Sequence, residues 1–254
     1  TLFFQKDWKF KMENNYIIIY GGSSLISKKL LEILSKDFNQ FIIFCRKKNI
    51  VQQYISEKKL DNLEIKIFEV DLLDLETNLS IIEKLENNIC GLIWISGFTG
   101  NPDEEYLDSK KCETNLRVNF LNPVLLINKI VPKMKTGKKS FIAVFTSVAG
   151  LRGRSKRLFY SSAKSALITY LSGLRQKLNK EQINILTVIP GYMKTKPFNI
   201  KAPSFLITSP EKSAQIVYNA IKKEKEIVYI NFFWRIIMFC INLLPEKIYK
   251  KLNF

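Results

Sequence analysis

The stretch YIIIYGGSSLIS, residues 16–27, joins a run of five apolar or aromatic residues to two glycines and then to the start of a helix. A short unbroken apolar run before glycines is typical of a strand buried on both faces. Residues 23–38 carry Leu25, Leu30 and Leu34 among their apolar positions, which predicts an amphipathic helix. A strand that turns directly into a helix is the first unit of an α/β sheet.

The turn between this strand and this helix is a candidate anion site. Gly21 allows a tight turn, and the first N–H groups of a helix have no partner within the helix, so they attract a phosphate. The hydroxyls of Ser23 and Ser24 add donors. The sequence therefore predicts a pyrophosphate site here, and a plain strand-to-helix turn remains the alternative.

Further apolar runs alternate with helical patterns along the chain. The predicted strands after the first are residues 41–47, 63–72, 90–97, 140–147, 183–191 and 226–231, and the predicted helices are residues 75–87, 112–134, 158–178 and 209–223. Near-continuous apolar strands separated by helices indicate a parallel sheet covered on both faces. We therefore expect a doubly wound α/β Rossmann fold of about seven strands in one domain, residues 12–231, and an amphipathic tail, residues 232–254.

Composition narrows the function. The chain of 254 residues has a net charge of +17 and no histidine. Ser-His-Asp and Cys-His nucleophiles and histidine-ligated metals are thereby excluded, and no metal site is expected. The cations are scattered without helix-turn-helix or zinc-finger spacing, so nucleic-acid binding is not expected. The net positive charge is therefore expected to bind an anionic ligand or a membrane surface, or simply to keep the surface solvated.

Cysteine usage indicates the compartment. Cys45, Cys90, Cys112 and Cys240 form no CxxC pair, which is typical of reduced thiols. Residues 1–15 hold no apolar core of signal-peptide length. Both observations predict a cytoplasmic protein.

Basic residues follow the second strand, where a dinucleotide-binding sheet meets the adenosine ribose. A carboxylate at this place suits NADH, whereas a basic residue suits a 2′-phosphate. Arg46 and Lys47 stand here without an acid, and a guanidinium binds phosphate in a bidentate manner. The sequence predicts NADPH, with solvated surface cations as the alternative.

The remaining strand ends add candidate contacts. Asp71, after the third strand, is predicted to accept a hydrogen bond from the adenine amino group, or else to cap a helix. Gly97, after the fourth, would let the backbone approach a cofactor. Pro190 and Gly191 predict a tight turn after the sixth strand, with Thr195 near the nicotinamide; a simple turn is the alternative reading at both places.

A tyrosine, a lysine and a serine have a marked spacing in SVAGLRGRSKRLFYSSAKSAL, residues 147–167. Tyr160 and Lys164 are one helical turn apart, and Ser147 precedes the tyrosine in the same stretch. Tyr and Lys at i, i+4 are also ordinary helix neighbours, so the pair alone is weak support for chemistry.

Taken together, these motifs resemble the short-chain dehydrogenases/reductases over residues 14–231. The matching features are GGSSLIS, VDLLD, ISG, Asn119 in LRVNFLNP, Ser147, YSSAK and PGYMKT, in the order of the family. The resemblance implies a catalytic set of Asn119, Ser147, Tyr160 and Lys164. It implies an NADP(H) site formed by Gly21, Ser23, Ser24, Ile26, Arg46, Lys47, Asp71, Leu72, Ser96, Gly97, Tyr160, Lys164, Pro190, Gly191, Met193 and Thr195.

The reaction that the resemblance implies gives the Tyr160 phenol and the Lys164 ammonium their roles. Reducing a ketone with a nicotinamide needs a hydride on carbon and a proton on oxygen. The tyrosine pKa of about 10 is high for this task, and a neighbouring ammonium is expected to lower it. The resemblance also implies that Lys164 binds the nicotinamide ribose, that Ser147 holds the substrate oxygen, and that Asn119 supports a water chain to Lys164. Backbone hydrogen bonding is the alternative role of Asn119.

The sequence departs from the family at two places. The second and third glycines of the usual turn are replaced by Leu25 and Ser27, which are expected to shift or weaken cofactor binding. The usual NNAG reads Trp94-Ile95-Ser96-Gly97, so the side-chain support of its asparagines is missing.

The tail, residues 232–254, is mostly apolar with one polar stripe, followed by Lys247, Lys250 and Lys251. This pattern is typical of a helix that lies in a membrane interface, here on the inner face of the membrane. It is equally typical of a helix that packs on its own domain or on a second subunit. LLPEKIYKKL, SVAG and GYMKTK resemble the decaprenylphosphoryl-2-keto-erythro-pentose reductases. That resemblance implies a lipid-linked keto-sugar substrate and a flavoprotein oxidase partner.

Three functions therefore remain open. The first is NADPH-dependent reduction of a keto-sugar on a lipid-linked or glycan precursor, by a homodimer or homotetramer. The second is a soluble carbonyl or oxoacyl reductase, and the third is a catalytically silent nucleotide sensor or scaffold, favoured by the altered glycine turn.

Overall fold

A parallel sheet with helices on both faces forms the protein. The computed structural model describes residues 15–100, 108–136, 140–194 and 202–252. Over these residues, seven strands pair in parallel in the order β3-β2-β1-β4-β5-β6-β9. They are β1 (Tyr16–Tyr20), β2 (Gln40–Cys45), β3 (Glu64–Glu69), β4 (Ile89–Trp94), β5 (Ser140–Phe145), β6 (Ile183–Ile189) and β9 (Ile227–Tyr229). The predicted doubly wound fold is confirmed.

The helices alternate with the strands along the chain. They are α1 (Leu25–Leu34), α2 (Lys48–Glu57), α3 (Leu75–Glu83), α4 (Ser109–Leu116), α5 (Asn122–Ile130), α6 (Leu158–Lys177), α7 (Pro210–Lys222), α8 (Phe232–Leu243) and α9 (Glu246–Tyr249). Helices α1, α2 and α7 bury apolar residues with Ile17 and Ile19 on one face of the sheet. Helices α3, α5 and α6 do so with Ile18 and Tyr20 on the other, because successive strand residues point to opposite faces.

The strand order places the ligand crevice. From β1 the chain winds outward to β2 and β3, and it then returns to β4 on the other side of β1. In such sheets the ligand lies outside the carboxyl ends of the strands at this reversal. The residues after β1 and β4, which include Gly21 and Gly97, therefore face the crevice.

The structure differs from the sequence predictions in its helices. The helix α2 at Lys48–Glu57 was not predicted, and the predicted helix 112–134 is divided by a π-helical turn at Arg117–Leu121. A short ribbon, β7 (Tyr192–Met193) and β8 (Ile207–Thr208), follows the sixth strand of the sheet and was not predicted either. The predicted tail helix is α8, with a break at Leu244 before α9.

Four aromatic rings stack across neighbouring strands beneath the crevice. The centroids of Phe68 and Phe44 are 5.4 Å apart, and Tyr20 lies 4.2 Å from both Phe44 and Trp94. Each such pair adds about 0.5–1.5 kcal/mol beyond its buried area. The stack ties β3, β2, β1 and β4 together at the reversal.

The tail has two different apolar faces. Trp234 and Met238 of α8 are buried in a third apolar cluster with Val148 and Ile189. The exposed apolar residues of α8 lie on the opposite side of the helix; they are Phe232, Phe233, Ile236, Phe239 and Leu243. Within the described parts of the chain, no helix is both long and apolar enough to cross a bilayer. The domain boundary at residue 231 stays a prediction.

Candidate active site

The turn after β1 has the conformation that an anion site needs. Gly21 adopts a φ of +92°, and a Cβ there would lie 2.8 Å from the Ser96 backbone nitrogen, so only glycine fits. Ser24 caps α1, because its Oγ accepts a hydrogen bond of 3.0 Å from Ser27 N. Ser23 is half-buried beside it. The N–H groups at the first two helical positions, Leu25 and Ile26, are the ones that a helix leaves free for a phosphate.

The two replaced glycines have different consequences. The hydroxyl of Ser27 is buried and donates a hydrogen bond of 2.7 Å to the Gly21 carbonyl, so it cross-links the turn and does not point into the crevice. The Leu25 side chain is exposed at the start of α1, whereas Ile26 is buried in the core. The departures therefore leave the turn intact and place one apolar side chain on its rim.

A carboxylate lies near the basic residues after β2. Arg46 and Lys47 are exposed, with Lys47 at the N-terminal boundary of α2. The Glu69 side chain, at the end of β3, accepts a hydrogen bond of 2.7 Å from Lys48 N. This corner thus carries exposed cations together with an acid, and the acid was not predicted.

The Asp71 carboxylate does not cap a helix. Its Oδ1 accepts a hydrogen bond of 2.9 Å from Leu73 N, and the side chain that caps α3 is Asp74, so the cap interpretation of Asp71 is wrong. Asp71 is exposed beyond β3, and Leu72 is buried with its carbonyl held by the Asn122 amide at 2.6 Å. The Asp71 carboxylate is therefore exposed at the carboxyl end of β3.

Ser147 begins the loop after β5. Its Oγ accepts a hydrogen bond of 3.1 Å from Ala149 N, which shapes a short 3₁₀ turn over Val148–Gly150. A Cβ at Gly150 would lie 2.7 Å from the backbone carbon of Lys164. Glycine therefore lets this loop lie directly on helix α6, which carries both Tyr160 and Lys164.

The Lys164 ammonium is buried at the crevice. The residue is 3% exposed, and its Nζ donates a hydrogen bond of 3.3 Å to the Phe145 carbonyl. A Cβ at Gly97 would lie 3.4 Å from Nζ, so this glycine leaves the ammonium reachable from the strand end, next to half-buried Ser96. Loss of hydration lowers the pKa of Lys164 to about 8.

The Tyr160 phenol is held between Ser147 and Lys164. Lys164 Nζ lies 5.8 Å from the Tyr160 ring centroid. Burial raises the pKa of Tyr160 above its ordinary value, while a hydrogen bond with Ser147 and the charge of Arg157 oppose that rise. The predicted net lowering of this pKa is therefore wrong, because burial has the larger effect, and the groups that oppose the rise are Ser147 and Arg157 rather than Lys164.

Asn119 lies in the π-helical turn, fully buried. Its Nδ2 donates to the Phe98 carbonyl at 2.6 Å and to the Asn115 side chain at 2.8 Å, and its Oδ1 accepts from Phe98 N at 3.1 Å. A Cβ at Gly97 would lie 3.1 Å from this Oδ1. Asn119 thus holds the strand end beside Lys164, which agrees with its alternative role in backbone bonding. Its role in a water chain stays a prediction.

The turn after β6 joins the site to the tail. The Pro190 carbonyl accepts a hydrogen bond of 3.0 Å from Val148 N. The Trp234 indole covers Gly191, where a Cβ would lie 2.0 Å from Nε1. Met193 is half-buried in β7, and Thr195 lies outside the described residues. Sequence reasoning missed Trp234 here, because it assigned the residue to a separate tail.

No group of three or more cysteine, aspartate or glutamate side chains in the described ranges is placed to hold a metal ion. The chemistry of the site is therefore considered with its hydroxyl, phenol and ammonium groups.

Comparison with known proteins assigns the family. The profile of the short chain dehydrogenases matches residues 15–202. The chain belongs to the short chain dehydrogenase family. It is an oxidoreductase of that type, as the motifs around Ser147 and Tyr160 predicted. An uncharacterized oxidoreductase of Mycobacterium tuberculosis is 23% identical to this short chain dehydrogenase over 93% of this chain and 96% of its own. The very-long-chain 3-oxoacyl-CoA reductase of Bos taurus is 23% identical over 77% of this chain and 65% of its own.

Solved structures share the fold of this short chain dehydrogenase. One from Burkholderia cenocepacia in complex with NADP has a TM-score of 0.78 at 17% identity, over 95% of this chain and 98% of its own. One from Sphingobium yanoikuyae in complex with NADPH has a TM-score of 0.74 at 15% identity, over 85% of this chain and 87% of its own. These structures support the fold assignment independently of the motifs.

The burial of Lys164 predicts a pH-dependent stability. Its pKa of about 8 lies below the ordinary value of 10.5, so the unfolded protein holds more protons between these pH values and the native protein gains stability as the pH rises through them. Lys164→Met removes the buried charge. We expect its free energy of unfolding to exceed that of the wild type by up to about 3 kcal/mol below pH 8, with the difference fading by about pH 10.5.

Urea denaturation at pH 6, 8 and 10 measures this difference. Lys129→Met, at an exposed position paired with Glu83, is the control and should show no such gain. A Lys164→Met protein that is no more stable than the wild type at pH 6 would contradict the prediction.

Proposed function

We propose that the protein reduces a ketone to an alcohol with NADPH. The observation that carries this proposal is the meeting of Ser147, Tyr160 and the buried Lys164 at the crevice, with the α1 N-terminus at the same edge of the sheet. A phenol that keeps its proton at neutral pH is ready to act as an acid. The raised pKa of Tyr160 keeps the phenol protonated, and the alkoxide that forms on the substrate is the stronger base that takes this proton.

The residues of the chain fit NADPH. The Gly21 turn would offer its helix amides to the pyrophosphate, and we infer that the exposed Asp71 carboxylate accepts a hydrogen bond from the adenine amino group. Exposed Arg46 and Lys47 suit a 2′-phosphate. When bound, NADPH supplies the hydride. Two of the structural relatives are described with NADP or NADPH bound, which agrees with this assignment.

The side chains divide the remaining work. Ser147 donates a hydrogen bond to the substrate carbonyl oxygen, which becomes stronger as negative charge develops there. Tyr160 gives its phenol proton to the same oxygen. Lys164 stabilises the resulting phenolate, because its Nζ lies 5.8 Å from the Tyr160 ring centroid. The absence of a side chain at Gly97 lets the Lys164 ammonium reach the ribose hydroxyls.

The substrate that we infer is a keto-sugar on a lipid-linked or glycan precursor. The exposed aromatic residues Tyr192, Phe205 and Phe233 lie around the turn after β6, beside the buried Trp234. An apolar rim next to the reaction centre suits a substrate with a hydrocarbon chain. The tail motifs that resemble the decaprenylphosphoryl-2-keto-erythro-pentose reductases point to the same class, and with it to a flavoprotein oxidase as the partner enzyme.

We infer that the exposed apolar face of α8 makes a peripheral contact with the cytoplasmic face of the membrane. Phe239 and Leu243 are 66% and 68% exposed, and exposed Arg235, Lys247 and Lys250 accompany them. An apolar helix face with flanking cations binds an anionic interface.

We further infer a homodimer or homotetramer. A hollow of about 700 Å³ lies along the outer face of α6, lined by Phe120, Gly153, Ser161, Ser162, Ser165, Ala166, Thr169 and Tyr170. Small side chains along a long helix allow close approach of a second copy.

The second candidate is a soluble carbonyl or oxoacyl reductase. The relative from Bos taurus named as a 3-oxoacyl-CoA reductase favours it. The catalytically silent sensor or scaffold is disfavoured. Its support was the altered glycine turn, and the Ser27 hydroxyl keeps that turn closed by donating to the Gly21 carbonyl. Turnover of keto-sugars and of 3-oxoacyl thioesters, each followed by NADPH absorbance, separates the two reductases.

Removing the phenol tests the reaction. Tyr160→Phe keeps the ring beside Lys164 and removes only the proton donor. We expect NADPH affinity to remain within a few-fold and turnover to fall on the order of 10²- to 10⁴-fold. Cofactor fluorescence and steady-state kinetics measure the two quantities. Turnover close to that of the wild type would contradict the assignment.

Two substitutions, one after β2 and one at the end of β3, test the choice of cofactor. Arg46→Ala should lower NADPH affinity by roughly 10- to 150-fold and leave NADH affinity nearly unchanged, since a charge-assisted hydrogen bond contributes about 1.5–3 kcal/mol. Glu69→Gln removes a negative charge near the same corner and should raise NADPH affinity. Equal effects of Arg46→Ala on both cofactors would show that this side chain does not meet the 2′-phosphate.

Substitutions on the exposed tail face test the membrane contact. Phe239→Ser with Leu243→Ser should reduce sedimentation with anionic vesicles and leave the fold intact, because both residues point away from the core. Replacing Lys247, Lys250 and Lys251 by glutamine should weaken binding roughly 100-fold at low salt, at about 1 kcal/mol for each cation. Leu73→Ser, exposed elsewhere, is the control. Failure of the wild-type protein to bind would exclude the contact.

A further inference from the structure

The loop between Ser147 and Tyr160 is held from two sides. On its inner side, Gly150 lies against the backbone of Lys164, as described above. On its outer side, the loop meets the tail through Val148, Arg152 and Gly153. The two catalytic hydroxyl groups thus belong to a segment whose outer support comes from a different part of the sequence.

Within the described residues, Arg152 makes three side-chain contacts with the tail. One guanidinium nitrogen donates to the Ile241 carbonyl in the last turn of α8, where a helix attracts a cation. The other donates to Glu246 Oε1 at 2.8 Å, and the guanidinium carbon lies 3.9 Å from the Tyr249 ring centroid. The Arg152 side chain is 12% exposed and Glu246 is 81% exposed. The glutamate end of the ion pair is solvated and contributes little, so the ring contact with Tyr249 and the bond to the Ile241 carbonyl hold the two segments together.

Further contacts join the tail to the loops after β5 and β6. The Tyr249 hydroxyl donates to the Gly153 carbonyl, next to Arg152. The Trp234 indole donates to the Leu206 carbonyl at 3.1 Å and covers Gly191, while the Pro190 carbonyl holds Val148 N. The tail therefore contacts the loops after both β5 and β6, which flank the reaction centre.

We propose that Arg152 is a positioning residue for ketone reduction: by fixing the loop against the tail, it keeps Ser147 within reach of Tyr160. Arg152 does not touch the reacting atoms. It acts through the loop, whose position sets the hydrogen bond between the serine and the phenol. This inference rests on the proposed reductase activity.

Arg152→Ala and Arg152→Lys, made in the full chain, test the proposal. The lysine variant keeps a charge near Glu246 but has no planar group to stack on Tyr249. Lys129→Ala is the control, because it removes an ion pair of 2.6 Å between α5 and α3 that lies outside this arrangement. For each protein we would measure kcat with a small soluble ketone, the Kd for NADPH and the pH dependence of kcat.

We expect Arg152→Ala to lose kcat on the order of 10- to 100-fold, because a displacement of about 1 Å of a catalytic group has effects of that size. NADPH affinity should not change, since the phosphate turn is part of a different loop. The alkaline limb of the kcat profile should move to higher pH, because the serine hydrogen bond that lowers the pKa of Tyr160 is weakened. Arg152→Lys should recover part of kcat.

Two results would overturn the proposal. One is a wild-type kcat in Arg152→Ala. The other is a loss of kcat that follows the loss of folded protein while the pH profile stays unchanged, which is the behaviour of a purely structural residue.

A second measurement separates this inference from the proposed function. The amides of Val148, Gly150 and Leu151 donate to Pro190, Ser147 and Val148. If Arg152 holds the loop, their hydrogen exchange should become faster in Arg152→Ala and not in Lys129→Ala. Unchanged exchange would overturn the proposal. An inactive wild-type protein would overturn the reductase assignment and still leave this measurement decisive for Arg152.

Discussion

The burial of one ammonium group governs the architecture around the reaction centre. Taking the charge of Lys164 out of water is unfavourable, and its pKa falls to about 8 as a result. The chain offsets part of this with the Phe145 carbonyl and keeps side chains away at Gly97 and Gly150. The same glycine at 150 brings the Ser147 loop onto the helix, so the demands of burying a lysine also assemble the serine and the tyrosine.

Local patterns made much of this predictable. Apolar strand runs and glycine turns defined the sheet, and Tyr160 and Lys164 share one helix, so their proximity follows from a spacing of four residues. The contact of Trp234 with Gly191 joins residues far apart in the sequence, and no local pattern carries it. The helix at Lys48–Glu57 escaped prediction because it buries only Val51, Tyr54 and Ile55. The direction of the Tyr160 pKa also depends on burial, which a spacing does not report.

The departures from the family look different once their surroundings are known. Ser27 replaces a glycine yet bonds inward to the Gly21 carbonyl, which keeps the turn closed. Trp94 replaces an asparagine and continues a stack of rings through Tyr20 and Phe44. In both cases a lost element of the motif is compensated by a contact from the neighbouring strand or turn. Leu25 remains the departure that reaches the crevice, where it adds an apolar surface to the phosphate turn.

The position of the tail in the sequence gives the site an order of assembly. Arg152 and Glu246 are 94 residues apart, and Tyr249 and Gly153 are 96 apart. Contacts between such distant segments form late, and on a ribosome the tail emerges after every strand of the sheet. A nascent chain would therefore carry its tyrosine and lysine on a nearly complete sheet while Val148 and Ile189 still lack their apolar cover. Until α8 docks, this apolar patch stays exposed to water, so the reaction centre is completed only after α8 has left the ribosome.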